Sequence, residues 1–572
     1  MVAMRVKKKR DTHTQSRSPV KMGRVAALLA ILLLVYAQET SAELRSPGTW
    51  KLLVDNAGIS AMHMVLTHNN KVILFDGFSS GPSNISQPSG ECKNTGSRIP
   101  GKLDCSAHSV EYDVATNTIR PLTIYTDTWC SSAVTIADGT LVQVGGLNNG
   151  SQTVRHLAAC QRCDWVESRQ RLAVKRRFSS SHLLPDNRVI VVGGRGQFSY
   201  EFVPRQDNEG VHELSFLAET NDLSQDNLYP FVHLTPDGNL FVFANSDSIL
   251  LDYKTGKVVK RFPRMPGLEA RNYPSSGSSV MLALEGASDY SDAQILVCGG
   301  ADPYNYAQAS RGNFLNASQN CGRIKLGDAS PSWAMEAMPM PRVMGDMLLL
   351  PTGDVLIING AQRGTAGWRS ARNPALHPVL YKPNLKLYNR FQTLTAASRP
   401  RLHHSSAILL PDASVLVGGS NPNGRYSFAT ATDGVYPTDV SLEVFSPPYL
   451  DSDYAARRPS VTSVSTASPA HGTRLTVRYR LRGHFFPGTT GVALLAPPFA
   501  SHAVSMGQRM IRLPLHNVTL VDDAPASISG RVPTYEIETT APRSASVAPS
   551  GYYMLFVVHA GLPSHATWIN LM

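Results

Sequence analysis

Seven segments of this chain repeat one short pattern, and that repetition limits the possible folds more than any other feature of the sequence. Each segment has an apolar strand, a turn rich in Asp, Gly or Asn, and a β-branched strand that usually ends in Gly, as in RFSSSHLLPDNRVIVVGG. The second strands end 48 to 69 residues apart, near Gly77, Gly146, Gly194, Asn245, Gly300, Gly360 and Gly419. A period of this length is typical of four-stranded propeller blades, so we predict an all-β fold.

The repeats divide the chain into two predicted domains. They indicate a seven-bladed kelch-type β-propeller over residues 43–447. From residue 448 to residue 572 the pattern changes to alternating strands such as TRLTVRYRLRG and GYYMLFVVHAG, which predict an immunoglobulin-like β-sandwich. The GGRG segment at Gly193 has no helix after it, and its Gly-Gly pair recurs in other repeats, which favours a blade over a phosphate-binding loop.

Residues 1–42 predict export from the cell. The apolar run over residues 25–37 follows a basic region and precedes ETSA, a pattern typical of a signal peptide cleaved after Ala42. This run of 13 residues is too short to span a bilayer. Met22 as the true start and an uncleaved anchor stay open, whereas the apolar run argues against reading the KKKR segment as a nuclear signal.

The net charge of +11 does not indicate a nucleic-acid ligand. Residues 1–42 contain eight basic and two acidic residues, so the rest of the chain carries a charge of only +5. Because the mature chain is only mildly basic, we do not expect it to bind nucleic acid, and the short, cleaved apolar run predicts no stable insertion into a membrane.

Export permits disulfides, and six of the seven cysteines fall into local pairs. Proximity predicts three bonds: Cys92 with Cys105, Cys160 with Cys163, and Cys298 with Cys321. The CQRC segment could be a redox motif, but no βαβ pattern surrounds it, which favours a structural link. Cys130 has no predicted partner.

Four N-x-S/T sequences predict N-glycosylation at Asn84, Asn149, Asn316 and Asn517.

Two adjacent histidines, His403 and His404, begin the first strand of the seventh repeat. Four residues lie eight positions before the turn Asp of their own repeats: Cys130, Phe178, Tyr229 and His404. The first strand of each blade lines the central channel, so these residues could face one axial site. They could bind a metal or only fill the channel, since adjacent strand residues normally point to opposite faces.

Several long motifs carry a resemblance to a known family: GISAMHM, TDTWCSS, LLPDNRVIVVGGRGQFSYEFVP, NLYPFVHLTPDGNLFVFAN, PRVMGDMLLLPTGDVLIINGAQRGTAGW, GGSNP, FSPPYL and GYYMLFVVHAGLPS. Through them the chain resembles the plant glyoxal oxidase and galactose oxidase-like proteins, which are secreted copper-radical oxidases. The resemblance implies a seven-bladed propeller followed by an early-set, immunoglobulin-like domain. It also implies oxidation of aldehydes or primary alcohols by O2, with release of H2O2.

In this family one copper ion is bound by two histidines and two tyrosines, and one tyrosine is cross-linked to a cysteine sulfur and carries a radical. Carried over motif by motif, the cross-linking cysteine corresponds to Cys130 and the two histidines to His404 and His502. Phe178 occupies the position of the radical tyrosine, and His403 that of the axial tyrosine. The resemblance therefore implies a site that lacks both phenols, and no cross-linked Tyr-Cys radical is expected.

The altered site leaves two hypotheses about function. Imidazole is a good ligand for copper or zinc and a base near neutral pH, so His403 could join His404 and His502 at one copper ion, with zinc as the alternative metal. The Cys130 thiolate could also be a ligand. One hypothesis is an extracellular oxidase that takes a small aldehyde or carbohydrate and O2. The other is a catalytically silent propeller that binds cell-wall carbohydrate or a protein partner. Under both we expect a secreted monomer of the apoplast or cell wall.

Overall fold

The computed structural model describes residues 46–88, 90, 92–94, 103–429, 435–483, 485, 488–522 and 532–572. The predicted signal peptide over residues 1–42 and the start of the predicted propeller before residue 46 lie outside them. The described residues form 44 strands and two short α-helices, α1 Ser215–Glu219 and α2 Tyr304–Ser310. Neither helix has the length and apolar content that crossing a membrane requires. The prediction of an all-β fold is confirmed.

The N-terminal part of the described chain consists of 33 strands, which include the sequence repeats. In chain order they are β1 Thr49–Val54, β2 His63–Leu66, β3 Lys71–Phe75, β4 Lys93–Asn94, β5 Leu103–Asp104, β6 Ser109–Asp113, β7 Thr118–Leu122, β8 Ser132–Thr135, β9 Leu141–Val144, β10 Val154–Leu157, β11 Val166–Glu167, β12 Ser179–Leu183, β13 Val189–Gly193, β14 Ser199–Val203, β15 His212–Glu213, β16 Phe231–Leu234, β17 Leu240–Ala244, β18 Asp247–Asp252, β19 Lys257–Arg261, β20 Ser278–Met281, β21 Leu284–Glu285, β22 Gln294–Cys298, β23 Asn320–Lys325, β24 Ala334–Ala337, β25 Asp346–Leu349, β26 Val355–Ile358, β27 Ala361–Gly364, β28 Ala371–Pro374, β29 Val379–Tyr381, β30 Phe391–Thr393, β31 Ser405–Leu409, β32 Val415–Ser420 and β33 Asp439–Ser446.

Each sequence repeat forms the first two strands of an antiparallel sheet. The sheets run β2-β3-β6-β7, β8-β9-β10-β11, β12-β13-β14-β15, β16-β17-β18-β19, β20-β22-β23-β24, β25-β26-β29-β30 and β31-β32-β33-β1. First strands of neighbouring sheets contact one another from β8 through β31 and on to β2. In the last sheet the chain's first described strand pairs with β33, with Thr49 opposite Ser446, so the two ends of this region are joined. This arrangement fits a β-propeller.

The turn between the two repeat strands explains why these segments form hairpins. The side chain of the turn Asp accepts a hydrogen bond from the backbone N–H two residues later, as from Arg188 to Asp186 (3.1 Å) and from Ser414 to Asp412 (2.9 Å). This contact closes the turn locally, before any distant contact forms. The residue between them has a positive φ, 65° at Asn187, a conformation that Asn and Gly adopt at low cost.

The C-terminal part forms two packed sheets, as expected of a β-sandwich. Its strands are β34 Ser460–Val464, β35 Arg474–Arg480, β36 Thr490–Ala496, β37 Phe499–Ser501, β38 Val504–Met506, β39 Arg509–Arg512, β40 Leu515–Asp522, β41 Thr534–Thr540, β42 Gly551–His559, β43 Leu562–Pro563 and β44 Thr567–Leu571. One sheet has the order β34-β35-β41-β40, and the other contains β39, β36, β42, β43 and β44. The predicted domain boundary at residue 447 falls between β33 and β34.

The hairpin β37–β38 belongs to the C-terminal part but joins a propeller sheet. Strand β37 pairs antiparallel with β2, and His63 lies opposite Ser501. The two strands of this hairpin contact the first strands of all seven propeller sheets, namely β2, β8, β12, β16, β20, β25 and β31. The hairpin therefore occupies the centre of the propeller, where these first strands converge.

Three disulfides join the cysteines that proximity pairs in the sequence. They are Cys92–Cys105, Cys160–Cys163 and Cys298–Cys321. Cys130 is a free, buried thiol. The four predicted glycosylation sites, Asn84, Asn149, Asn316 and Asn517, are exposed and so accessible to a glycan.

Candidate metal centre

His502 lies at the tip of the β37–β38 hairpin, and the structure holds its ring in one orientation. Its φ of 49° is left-handed, as the tight turn that reverses the chain requires. The residue is only 5% exposed. Ser501 Oγ lies 2.7 Å from Nδ1, and Cys130 Sγ lies 3.4 Å from Nε2. When Nδ1 carries the proton and its N–H donates a hydrogen bond to Ser501 Oγ, Nε2 keeps a lone pair that faces the Cys130 sulfur.

The residues that the repeat register groups together surround this imidazole. Cys130, Phe178, Tyr229 and His404 precede the first strands of their sheets and share φ values between 50° and 63°. Ring centroids of Phe178, Tyr229 and His404 lie 6.2, 5.1 and 5.0 Å from that of His502. A left-handed backbone is uncommon outside glycine, and here it turns each side chain toward the axis before the strand begins.

Three of these residues have the donor atoms and the spacing for a metal ion. The ligating atoms of Cys130, His404 and His502 all lie within 4.8 Å of one another. His403 is not in this group, although its ring stacks on that of His404 with centroids 3.8 Å apart. The hypothesis from the sequence named His403, His404 and His502 as metal ligands. The group of closely spaced donors among the described residues contains the Cys130 sulfur in place of His403.

The hydrogen bonding of the adjacent histidines supports a metal at this position. Both ring nitrogens of His404 are buried, and neither has a hydrogen-bond partner among the described residues; those of His403 are also buried, near the Asn421 backbone. Buried polar atoms normally have partners, because leaving one unpaired costs about 1–3 kcal/mol. A metal ion bound at this position would satisfy at least one of them, so the residues present fit a copper or zinc ion.

Burial also determines the protonation of these groups. It lowers the pKa of His403 to about 3 and holds the pKa values of His404 and His502 well below the usual range. The imidazoles are therefore neutral near pH 7, the form that binds metals. Burial raises the pKa of the Cys130 thiol well above its usual value, so a metal bound to this sulfur has to displace a proton.

The aromatic residues beside the centre are Phe178, Tyr229 and Tyr273. Phe178 has no phenol oxygen, and its ring stacks on Tyr273 with centroids 4.8 Å apart. The Tyr229 hydroxyl donates to the carbonyl of Ser131 at 3.0 Å. Burial raises the pKa of Tyr229 and of Tyr273 above the usual range, so a metal bound to either oxygen has to displace a proton, as at Cys130.

A family model, Glyoxal oxidase N-terminus, matches residues 62–449. The chain belongs to the glyoxal oxidase family. A second model, Galactose oxidase-like, Early set domain, matches residues 458–571 and covers the sandwich strands of the C-terminal part. Proteins of this family are copper-radical oxidases that act on aldehydes or alcohols with O2.

Curated relatives extend over most of the chain. Aldehyde oxidase GLOX of Vitis pseudoreticulata is 44% identical over 534 residues, which cover 92% of this chain and 97% of that protein. Aldehyde oxidase GLOX1 of Arabidopsis thaliana is 42% identical over 541 residues, 93% of this chain and 85% of the relative. A galactose oxidase of Gibberella zeae is 27% identical over 464 residues, 78% of this chain and 61% of the relative. The resemblance inferred from the motifs is confirmed.

One histidine near the centre of this glyoxal oxidase family member was missed in the sequence. His63, the first residue of β2, lies with its ring 6.0 Å from that of His502 and packs between Phe75 and Phe499. Its Nε2 lies 3.2 Å from the Thr128 carbonyl. The sequence signal for His63 was its place in the MHMVL strand of the first repeat. Counting eight positions back from the turn of this repeat leads to Ala61 instead, and Ala61 does not have the positive φ that the equivalent residues share.

A cavity of about 640 Å³ lies beside the centre and reaches the surface. His403, Phe178 and Tyr273 form part of its wall. Trp129 and Trp368 form another part, stacked with centroids 5.6 Å apart. Because His403 stacks on His404, a ligand in this cavity lies next to the candidate metal ligands.

Replacing Ser501 by alanine is expected to weaken metal binding without removing a ligand. The substitution frees the Nδ1 side of His502, so the ring is no longer held with Nε2 toward Cys130. Loss of such a contact typically lowers metal affinity by about 10- to 100-fold. Competition with a chromophoric chelator measures the affinity. Ser505→Ala is the control, because the Ser505 hydroxyl donates to the Met347 carbonyl and not to an imidazole. An equal loss in both variants would count against this role.

Proposed function

We propose that this protein is an extracellular, copper-binding member of the glyoxal oxidase family that lacks tyrosyl-radical oxidation and binds a ligand in the cavity beside the metal. Phe178 is the observation that carries the proposal. It lies beside Cys130, with its N–H donating to the Cys130 carbonyl at 2.8 Å, at the position where the family resemblance expects the radical tyrosine. Its benzene ring has no oxygen to bind copper or to form a phenoxyl radical.

Each residue of the proposed site has a separate role. Cys130, His404 and His502 would hold the ion. Copper, when bound, supplies one-electron redox chemistry. His403 is neutral and lines the cavity, so it can accept a hydrogen bond from the bound ligand. Cys130 stays a thiol or a metal thiolate under this proposal, since Phe178 stands at the position where the family resemblance expects the cross-linked phenol.

Oxidation of aldehydes is the second candidate function. Identities of 42–44% to two aldehyde oxidases over more than nine-tenths of this chain favour it. Under this candidate, copper and O2 would oxidise an aldehyde or primary alcohol through a residue other than Phe178. Tyr273 is the first to examine, because its phenol ring stacks on Phe178.

One experiment separates the two candidates. The protein is purified from a secreting eukaryotic host, its metal content is measured, and H2O2 release is followed with glyoxal, methylglyoxal and galactose. We expect one equivalent of copper and H2O2 release at least about 1,000-fold slower than that of the Vitis pseudoreticulata relative assayed in parallel. Zinc instead of copper would change the metal assignment. A rate within tenfold of the relative would refute the loss of oxidation, and Tyr273→Phe would then test the alternative residue.

Secretion is part of the same proposal. Three disulfides and four exposed N-x-S/T sites suit an oxidising, glycosylating compartment. N-terminal sequencing of the exported protein is expected to begin near Glu43. An intact leader on a membrane-bound form would show an anchor instead.

A further inference from the structure

Three arginines line the cavity beside the metal centre, and none of the described residues that line it is acidic. Arg177 is half-buried, whereas Arg195 and Arg369 are exposed. The ion pairs of the described residues include none of the three, and Arg369 donates instead to the Asn423 side chain at 3.3 Å. The cavity therefore has a local excess of positive charge.

Arg177 and Arg195 are held close together by the backbone. The Arg195 N–H donates to the Arg177 carbonyl at 2.8 Å, and both guanidinium carbons lie 5.2 Å from the centroid of the Phe178 ring. Burial, and also the positive charge of Arg195, lower the pKa of Arg177, so the two guanidinium groups repel each other. A carboxylate bound against both would offset the repulsion and accept hydrogen bonds from the planar groups.

Two stacked tryptophan rings lie beside these arginines. Trp129 and Trp368 stack with an interplanar angle of 19°, and the Arg177 guanidinium lies 5.3 Å from the Trp129 ring. Trp368 is 39% exposed although it is large and apolar. An exposed aromatic surface of this kind suits the apolar face of a ligand ring.

The volume of the cavity and its polar side chains further restrict the class of ligand that it could bind. The cavity volume of about 640 Å³ is in the range of sites for ligands much larger than a two-carbon aldehyde. Its remaining wall includes the polar side chains of Ser224, Gln225, Ser310 and Ser370. The three serine hydroxyls already donate to backbone carbonyls but can still accept hydrogen bonds from ligand hydroxyl groups.

We propose that the cavity binds a carboxylated sugar ring, such as the terminal uronic acid of an acidic polysaccharide. Its carboxylate lies on Arg177 and Arg195, and one ring face lies on the exposed Trp368 ring, which Trp129 supports by stacking. The inference rests on the proposed function, since it names the ligand class of the cavity that adjoins the metal centre.

Calorimetry with trigalacturonate and with neutral galactotriose tests the ligand class. The full mature chain is titrated at low salt, both with its metal and after chelation. Trigalacturonate is expected to bind with a Kd at least about tenfold lower than galactotriose, and added salt is expected to reduce this difference. Equal affinities at low salt would overturn the proposal.

Two substitutions test the two parts of the site. Arg195→Gln is expected to weaken trigalacturonate about 10- to 100-fold and to leave galactotriose unchanged, whereas Trp368→Ala should weaken both. Arg261→Gln is the matched control, because this exposed arginine pairs with Glu219 away from the cavity lining. Circular dichroism checks that each variant folds. Benzoate binding as tightly as trigalacturonate, with Trp368→Ala inert, would show a general anion site and overturn the assignment to a sugar.

The binding measurements are independent of the proposed metal chemistry. Absence of metal, or fast H2O2 release, would contradict the proposed function and leave the comparison of the two sugars intact. Conversely, a copper-loaded protein with no preference for the acidic sugar would contradict only the inference about the ligand.

Discussion

Phe178→Tyr is expected to create a thioether with Cys130 when the purified protein is incubated with copper and O2. The two residues are hydrogen-bonded through their backbones at 2.8 Å, and both belong to the group around His502. The new bond joins the sulfur to a carbon of the phenol ring, with loss of the S–H and one C–H hydrogen, and O2 is reduced to H2O2. Mass spectrometry of the peptides measures the loss of two hydrogens, and H2O2 release is expected to increase at least about tenfold.

The double variant Phe178→Tyr with Cys130→Ser is the control, because it has the phenol but no sulfur. It should show neither the mass loss nor the increase in H2O2. Adding His403→Tyr to the single variant should raise H2O2 release further and non-additively, since both residues adjoin one metal. A thioether at Cys130 in the native protein would contradict the account of the site, since no tyrosine would then be missing.

His502→Ala is expected to abolish tight metal binding. The substitution removes one of three clustered donors and leaves the buried Cys130 and His404 atoms without a third ligand. We expect the copper content to fall from one equivalent to below about a tenth of that. Elemental analysis after dialysis against a weak chelator measures it.

His516→Ala is the matched control for this change. His516 is an exposed histidine of the same sandwich, and its Nε2 lies 2.7 Å from Thr540 Oγ1. Its loss should leave the metal content unchanged. Equal copper in the wild type and in His502→Ala, or none in either, would disprove the assignment of the centre.

The hairpins of the propeller could be predicted from sequence because their cause is local. A turn Asp such as Asp186 bonds to the backbone two residues later, so each repeat carries its own fold signal. The same register placed Cys130, Phe178 and His404 together, since equivalent positions of the repeats meet at the axis. The shared left-handed backbone at these positions is the structural counterpart of that register.

Residues brought in from outside the repeats could not be predicted in this way. His502 follows no repeat period, and only the family resemblance pointed to it; its position depends on the pairing of β37 with β2. Trp368 and Arg195 lie on segments between strands, where no periodicity relates them. The cavity that they line exists only after sheets from distant parts of the chain have closed on one another.

The β37–β38 hairpin leaves the candidate metal centre incomplete until part of the C-terminal region has been synthesised. Two of the three donors, Cys130 and His404, are made with the propeller, and the ring closes once β33 is available to pair with β1. His502 leaves the ribosome later, with the C-terminal part of the chain. A truncated product that ends before this hairpin has only two of the three donors. If the proposed centre holds a metal, tight binding would therefore be restricted to chains that were synthesised past residue 502 and docked their hairpin.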